Sequence, residues 1–246
     1  MRDVFGLLLF GALAGCSPGR GVPLTSSSPA PIALFNGTGT SASDVEAVEA
    51  VLERGHLRYS TVDSSQLHGL SEARLQAFRL LIVPGGNFEE LGNALEPGDS
   101  AKVRGAVHGG LSYLGICAGA FYAGDSPFNG LNLTGTRFPF YSAERRGIRK
   151  AAVPIALADG QTVEHYWEDG PELTGWGAVV AKYPEGTPAV AQGAVGKGWV
   201  VLSGVHPEAP ERWRRGMSFT TPTSASNAYA ATLIQAALSR TALPQF

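Results

Sequence analysis

The chain has 246 residues, a formal charge of -2 at pH 7, and 16% charged and 44% hydrophobic residues. This length allows one well-buried domain and is short for two. Its Lys and Arg residues are dispersed except in Arg145-Arg146 and Arg212–Arg215. Because neither cluster has interleaved stacking aromatics, we interpret both as solvated loop charge and expect no nucleic-acid partner.

The N-terminus carries an apolar run, Val4–Ala14, that follows Arg2 and ends in Leu13-Ala14-Gly15-Cys16. The run is too short for an ordinary transmembrane helix but suits the hydrophobic region of an export signal. It resembles a bacterial lipoprotein signal with its lipobox. The resemblance implies that residues 1–16 contain a lipoprotein signal peptide with its lipobox, and that Cys16, the last residue of the lipobox, becomes the lipidated first residue of the mature chain.

A plain secretory signal and a misassigned start codon are the alternatives for this N-terminus. The lipoprotein interpretation implies attachment to a membrane through the lipid anchor. It further implies a location in the bacterial cell envelope, facing away from the cytoplasm. With Cys16 acylated, Cys117 is the only other cysteine, so no intrachain disulfide is expected.

Residues 17–31 are rich in Ser, Pro, Gly and Thr without an apolar period, which predicts a flexible tether reaching on the order of 20 Å. From residue 32 to 246 we expect one folded domain. Its first half alternates short apolar runs with helical patterns, which is typical of βαβ units and a largely parallel sheet. The predicted strands here are Ile32–Phe35, Arg58–Val62, Leu80–Val83 and Leu111–Ile116.

Helices are predicted between these strands. Ser43 and Glu46 form a capping-box pair at the start of the first helix, and Gly55 ends it. Ser71 is predicted to cap a helix that carries Leu75 and Phe78, and another helix is expected near Ala101–His108. We interpret Asn36–Gly39 as a simple turn, with a ligand contact at the sheet edge as the alternative.

Past Gly130 the pattern changes to alternating strands and turns, which predicts a more antiparallel half. The expected strands are Ala152–Leu157, Ala178–Lys182, Ala189–Val195 and Trp199–Leu202, and a final helix covers about Ala225–Ser239. Residues Tyr166–Asp169 precede Gly170-Pro171, and we interpret them as a turn with one buried aromatic, with a pocket rim as the alternative. The predicted fold class is α/β, with a mostly parallel sheet, helices on both faces and a more antiparallel C-terminal half.

The segment Gly115-Ile116-Cys117-Ala118-Gly119 places a cysteine between glycines at a predicted strand-to-helix turn. Such a turn is typical of a nucleophile elbow, in which small neighbours let the turn close and the helix start favours a thiolate. A buried structural cysteine at a Gly-rich turn is the alternative.

The segment His206-Pro207-Glu208 follows the strand Trp199–Leu202. Groups just past the carboxyl ends of parallel strands meet at one edge of the sheet, where the elbow also lies. His206 and Glu208 are therefore candidates for a base and the acid that orients it, and with Cys117 they would form a triad by role. A loop histidine with a solvated glutamate is the alternative.

Three segments, in their order along the chain, resemble class I glutamine amidotransferase domains: Pro84-Gly85-Gly86, Gly115–Ala120 and His206–Glu208. A narrower resemblance is to the N-terminal domain of biotin–protein ligase, and it is carried by Phe35–Gly39, Ile82–Gly86 and Leu114–Tyr122. The match runs from about Ile32 to Glu208. It implies a flavodoxin-like sheet, a thiol nucleophile at Cys117, a His206/Glu208 pair, and an oxyanion hole formed by the N–H groups of Gly86 and Ala118.

The resemblance has limits. Glutaminases of the superfamily carry Gln four residues after the cysteine, where this chain has Phe121, so glutaminase specificity is not carried over. The catalytic domain of biotin–protein ligase is absent, so no biotinylation is implied. Related proteins with His directly after the cysteine are poorer models, because Ala118 stands there.

Two functions remain open. The first is a thiol-dependent amidase or hydrolase that acts on a small-molecule amide or ester, with Cys117 attacking and His206 moving protons. The second is a non-catalytic binding or scaffolding lipoprotein that keeps the fold, since fold does not fix function. No cofactor is expected, no spacing suggests a metal site, and no protein partner can be named.

Overall fold

The computed structural model describes residue 1 and residues 30–141 and 149–246. The predicted signal peptide beyond residue 1, most of the predicted tether and Arg145-Arg146 therefore lie outside the described residues. The strands are β1 (Ile32–Phe35), β2 (Tyr59–Val62), β3 (Leu80–Val83), β4 (Ser112–Ile116), β5 (Lys150–Leu157), β6 (Thr162–Glu168), β7 (Ala178–Lys182), β8 (Pro188–Val195) and β9 (Gly198–Ser203). The helices are α1 (Ala42–Arg54), α2 (Ser64–Gly69), α3 (Glu72–Leu75), α4 (Phe88–Asn93), α5 (Pro97–Gly109), α6 (Ala118–Ala123), α7 (Glu211–Arg214) and α8 (Thr223–Ser239).

All these strands form one nine-stranded sheet in the order β2-β1-β3-β4-β9-β8-β7-β5-β6. The pairs from β2 to β9 are parallel, and those from β9 to β6 are antiparallel. The predicted α/β class with a parallel half and a more antiparallel half is confirmed. Strand β9 joins the two halves and lies beside β4, so the segments that follow β4 and β9 meet at the same edge.

The central strands are apolar on both faces because helices cover both faces. In β1, Ile32 and Leu34 pack into one core with the apolar stripes of α1 and α8. The alternate residues Ala33 and Phe35 pack into a second core with α5 and α6. This period of two explains why β1 and β3 are continuous apolar runs rather than alternating ones.

The start of α1 differs from the prediction. Its N-cap is Ser41, and the predicted capping box of Ser43 and Glu46 is wrong, since both residues lie inside the helix. The Ser41 hydroxyl instead contacts the hydroxyl of Ser43 at 2.9 Å. Gly55 ends the helix as predicted. The shift brings Asp44 into the first turn, where it is buried.

Further differences lie in short elements. The helix capped by Ser71 stops at Leu75 and does not reach Phe78, and helices α2, α4 and α7 were not predicted. Residues up to Glu168 belong to β6, so the preferred interpretation of Tyr166–Asp169 as a turn is wrong. The motif Asn36–Gly39 does form a turn, in which the N–H of Thr40 donates to the carbonyl of Gly37 at 3.1 Å.

The cluster Arg212–Arg215 is not uniformly solvated. Arg214 is buried, with its guanidinium 3.8 Å from the centre of the Phe219 ring and donating to the Thr223 hydroxyl at 2.7 Å. The expectation of solvated charge is therefore wrong for Arg214, while Arg212 and Arg215 are exposed. Among the helices of the described part of the chain, none has the length and apolar character needed to cross a membrane.

Candidate functional site

Cys117 lies at the turn between β4 and α6, where the backbone has a φ of +50°. A non-glycine residue in this region carries strain of about 1–3 kcal/mol, which the surrounding structure must hold. Two backbone hydrogen bonds do so: the N–H of Cys117 donates to Ser203 on β9, and the N–H of Phe121 donates to the Cys117 carbonyl. The predicted elbow geometry is therefore present.

The glycines on each side of Cys117 are required by close packing. A Cβ on Gly115 would lie 2.5 Å from the carbonyl oxygen of Gly119, and one on Gly119 would lie 2.0 Å from that of Val83. Both distances are shorter than real Cβ contacts allow. The Gly-x-Cys-x-Gly pattern thus lets α6 start directly against β3 and β4.

His206 and Glu208 follow β9 and are both buried. The His206 Nδ1 atom lies 2.8 Å from Glu208 Oε1, while the second oxygen, Oε2, has no hydrogen-bond partner among the described residues. The backbone N–H of His206 donates to the carbonyl of Tyr166 at 2.8 Å. The ring is edge-on to Tyr166 and Trp213, each with its centroid 5.8 Å away.

The thiol of Cys117 has two neighbours. Its Sγ lies 3.5 Å from the backbone carbonyl of Glu168 on β6, and it lies near enough to the imidazole of His206 to raise the pKa of that ring. The carbonyl can accept only from the protonated thiol, whereas a charged imidazole favours the thiolate. The charge on the neighbouring His206 therefore influences the reactivity of this sulfur as a nucleophile.

A third acidic residue, Asp44, lies beside the imidazole, with its Oδ1 atom 3.4 Å from His206 Nδ1. Gly85 makes this approach possible, because a Cβ there would lie 2.1 Å from Asp44 Oδ1 and 2.7 Å from His206 Cε1. Sequence reasoning missed Asp44, because no motif connects the first turn of α1 with a loop so distant in sequence.

The charge state of His206 depends on opposed effects. Burial alone favours the neutral ring, but the carboxylate of Glu208 and the interaction with Cys117 raise the pKa of His206 well above its usual value. Burial also raises the pKa of Glu208 from its usual value, and the charge of Asp44 adds to this, while His206 opposes it. The Glu208 carboxylate thus favours the protonated form of the ring, against the effect of burial.

Gly86 and Ala118 are the residues whose N–H groups were expected to form an oxyanion hole. Within the described ranges, the Gly86 N–H makes no hydrogen bond to a backbone carbonyl outside the regular elements. Ala118 is the first residue of α6, so its N–H precedes the first bond inside the helix. Both residues line the cavity that contains Cys117. Their N–H groups therefore remain candidates for donors to a developing oxyanion.

The cavity at this sheet edge has a volume of about 880 Å³ and is open on one side. Cys117 and His206 both line it, so the predicted residues come together at one accessible place. Tyr166, Glu168 and Asp169 also line it, which agrees with the alternative that this segment forms a pocket rim. Trp213 and Arg212 from the α7 region were not anticipated and complete the wall beside His206.

Asp44, His206 and Glu208 offer ligand atoms that all lie within 4.8 Å of one another, so together they could supply donors to a metal ion. The sequence spacing did not suggest this group. The Nδ1 atom of His206, however, is already hydrogen-bonded to Glu208 at 2.8 Å. A cation would therefore have to replace that hydrogen bond.

The fold is shared with solved structures. A glutamine amidotransferase structure aligns with 72% of this chain and 90% of its own chain, at 21% identity and a TM-score of 0.56. A cytoplasmic protein of Salmonella typhimurium covers 83% of this chain and 98% of its own, at 10% identity and a TM-score of 0.54. The chain thus shares the fold of these two structures.

An exo-β-1,4-mannosidase from Opitutaceae bacterium strain TAV5 also aligns, with 82% of this chain at 17% identity and a TM-score of 0.55. This chain spans only 36% of the length of that enzyme. No curated protein sequence matches the chain.

Residues 30–147 match the family model described as the N-terminal part of biotin-protein ligase. Residues 30–147 are thus similar to the N-terminal part of biotin–protein ligase, as the motifs predicted. The matched segment includes Gly86 and Cys117 but ends before His206 and Glu208. Evidence for the pairing of His206 with Cys117 therefore comes from the geometry and not from the family match.

Proposed function

We propose that this chain is a membrane-anchored, thiol-dependent amidase or hydrolase that acts on a small amide or ester. Cys117 is the nucleophile, His206 the proton carrier and Glu208 the residue that orients His206. The observation that carries the proposal is that Cys117 and His206 line the same open cavity, with His206 Nδ1 hydrogen-bonded to Glu208 behind it. The lipid anchor at Cys16 rests on the N-terminal sequence pattern alone.

The reaction has two steps. In the first, the Cys117 thiolate attacks the substrate carbonyl carbon, the C–N or C–O bond breaks, and the His206 imidazolium gives its proton to the leaving amine or alcohol. In the second, His206 takes a proton from water, the water oxygen attacks the thioester, and the carboxylic acid leaves with release of the thiolate. The N–H groups of Gly86 and Ala118 stabilise the negative oxygen formed in both steps.

Glu208 acts through His206. Its bond to Nδ1 leaves Nε2 for the sulfur and for the leaving group, and its charge stabilises the imidazolium. Glutaminase specificity is not part of the proposal, since Phe121 stands four residues after Cys117 and lines the cavity.

The first test measures the rate at which iodoacetamide alkylates Cys117 at neutral pH. We expect the folded protein to react at least about tenfold faster than the same protein unfolded in denaturant, because an imidazolium neighbour favours the thiolate. His206→Ala should lose this advantage, while His108→Ala, at an exposed position on α5, should keep it.

The second test measures turnover of a panel of 4-nitrophenyl esters and anilides. Cys117→Ala and His206→Ala should each remove turnover, and the double variant should cost little more, since the members of a triad act as a unit. Full activity in Cys117→Ala would refute covalent catalysis. Alkylation at the unfolded rate together with no turnover would favour the non-catalytic binding lipoprotein.

A further inference from the structure

An aromatic wall forms part of the lining of the cavity. It consists of Phe88 at the start of α4, Phe121 on α6 and Phe140. The rings of Phe88 and Phe121 are stacked with centroids 4.6 Å apart, and the ring of Phe140 lies 4.8 Å from that of Phe121. The Phe140 side of this wall is open to solvent, since 41% of that residue is exposed.

A second, smaller cavity adjoins the first at this wall. It has a volume of about 170 Å³ and shares all three phenylalanines with the larger cavity. Its remaining lining is mostly apolar and consists of Ser126, Pro127, Phe128, Arg137 and Phe138. An apolar protein cavity of about 150 Å³ is enough to bind benzene. The smaller cavity therefore has the size and surface for a phenyl ring.

The position of the wall relative to the reacting groups decides which part of a substrate it contacts. Phe121 lies one helical turn after Cys117, since its N–H donates to the Cys117 carbonyl at 3.0 Å. Phe88 lies two residues after Gly86, so the wall is next to both proposed oxyanion donors. The leaving group must instead approach His206, which Tyr166 and Trp213 flank. We therefore expect the acyl group to lie beside the wall and the leaving group beside His206.

We propose that the smaller cavity is the acyl subsite of this enzyme and that it selects an apolar, phenyl-sized acyl substituent. This proposal rests on the proposed thiol chemistry at Cys117. A polar acyl chain such as that of glutamine would lose its hydrogen bonds to water there, because three phenylalanines border its path. The one charged lining residue, Arg137, is exposed and donates its Nε–H to the Asp125 carbonyl at 3.1 Å.

The experiment compares three chloromethyl ketones that alkylate a reactive thiol and differ only on the acyl side. They are 1-chloro-4-phenylbutan-2-one, the amide 5-chloro-4-oxopentanamide, and chloroacetone. The rate of labelling at Cys117, located by peptide mass spectrometry, is divided by the rate of each reagent with N-acetylcysteine. We expect the phenyl ketone to label at least about tenfold faster than the amide, the advantage that burial of a phenyl ring predicts.

Variants test whether the wall causes this preference. Phe140→Ser, at a partly exposed position, and Phe121→Gln should both lower the phenyl-to-amide ratio towards one. Phe246→Ser is the matched control, because Phe246 is 55% exposed and packs against Lys182 instead. It should keep the wild-type ratio, and circular dichroism confirms that each variant is folded.

The outcomes separate the two proposals. A phenyl-to-amide ratio near one in the wild-type protein, or a ratio unchanged in both wall variants, overturns the acyl subsite. Slow labelling by chloroacetone, equal to that of the unfolded protein, contradicts the proposed thiol chemistry. If a phenyl preference persists in that case, the subsite stands as a binding site and the reaction is rejected.

Discussion

The imidazole of His206 lies between two carboxylates at unequal distances, with Nδ1 at 2.8 Å from Glu208 and 3.4 Å from Asp44. At the shorter distance the contact is a good hydrogen bond, and at the longer one it is mainly electrostatic. Removal of either charge should lower the pKa of His206, because each stabilises the protonated ring. Removal of the Glu208 charge should lower the pKa of His206 more than removal of the Asp44 charge, because Glu208 is closer to Nδ1.

Glu208→Gln keeps the shape of the side chain and removes its charge. We expect the pKa of His206, followed by NMR of its Cε1–H signal, to fall by at least about one unit, whereas Asp44→Asn should lower it by less. In the wild-type protein the pKa of His206 is raised, so its contribution to stability is complete below pH 6.5 and is lost as pH rises through the folded value. An equal or larger shift in Asp44→Asn would show that Asp44 is the main partner.

His165 is a second buried histidine with the opposite behaviour. It is fully buried and stacks on Tyr229 with ring centroids 5.2 Å apart, and neither ring nitrogen has a partner among the described residues. Burial, with the nearby positive charge of Arg214, lowers the pKa of His165 from 6.5 to about 3. The folded protein therefore keeps this ring neutral at pH values where the unfolded chain binds a proton.

The predicted consequence is a loss of stability in acid. The contribution of His165 is complete above pH 6.5 and is lost as pH falls towards about 3, at a rate of at most about 1.4 kcal/mol per pH unit. His165→Phe should flatten the fall of unfolding free energy between pH 6.5 and 4, measured by urea denaturation. The exposed His108→Phe is the control and should follow the wild-type curve; identical curves for all three proteins would reject this role of His165.

At the scale of elements, α6 is placed by contact of its backbone with β3. The Val83 carbonyl oxygen occupies the space that a Cβ on Gly119 would need, at 2.0 Å. This oxygen is part of a buried strand and cannot move aside like the end of a flexible side chain. The distance between α6 and β3 therefore sets the position of Cys117 at the start of the helix.

Gly119→Ala should destabilise the protein by about 1–3 kcal/mol through overpacking and should slow the alkylation of Cys117. Gly98→Ala makes the same change near the start of α5, where nothing lies within 4 Å of the added carbon. It should be neutral or stabilise by up to about 1 kcal/mol. Thermal unfolding measures both variants, and equal stability of the two would contradict the tight α6–β3 contact.

The elements that sequence predicted well are those with strong local patterns. The apolar runs of β1 and β3 were assigned to the right residues because covered parallel strands are apolar on both faces. β6 was missed because the polar residues Thr162 and Glu164 and the following Gly170-Pro171 obscured its pattern. The four-residue α7 has too few residues to show a helical period.

At the site, the sequence supplied the residues with local motifs and missed those defined by the fold. Cys117 and His206 follow adjacent strands, so parallel-sheet topology alone predicted that they meet. Asp44 reaches the site only through the packing of α1 over Gly85. The aromatic wall joins residues from three separate segments, and no periodicity within one segment could predict it.

At the scale of the whole molecule, the proposed site and the proposed anchor are linked only by chain outside the described residues. The active cavity opens at the carboxyl edge of the parallel strands, and the chain enters the sheet at β1 from the opposite edge. A tether of residues 17–31 would therefore join the domain at the end opposite its cavity. This arrangement would leave the cavity accessible to soluble small molecules.

The anchor is tested by Cys16→Ser in the full chain expressed in a bacterial host. Because stable attachment requires two or more acyl chains such as palmitate, loss of the acceptor thiol should move the protein from the membrane to the soluble fraction. Cys117→Ser removes the other thiol and should remain in the membrane fraction. Mass spectrometry of the N-terminal peptide should show an acylated Cys16 in the wild-type protein. If the wild-type protein stays in the membrane fraction with a free, unacylated N-terminus, the lipoprotein proposal is rejected, whatever the activity at Cys117.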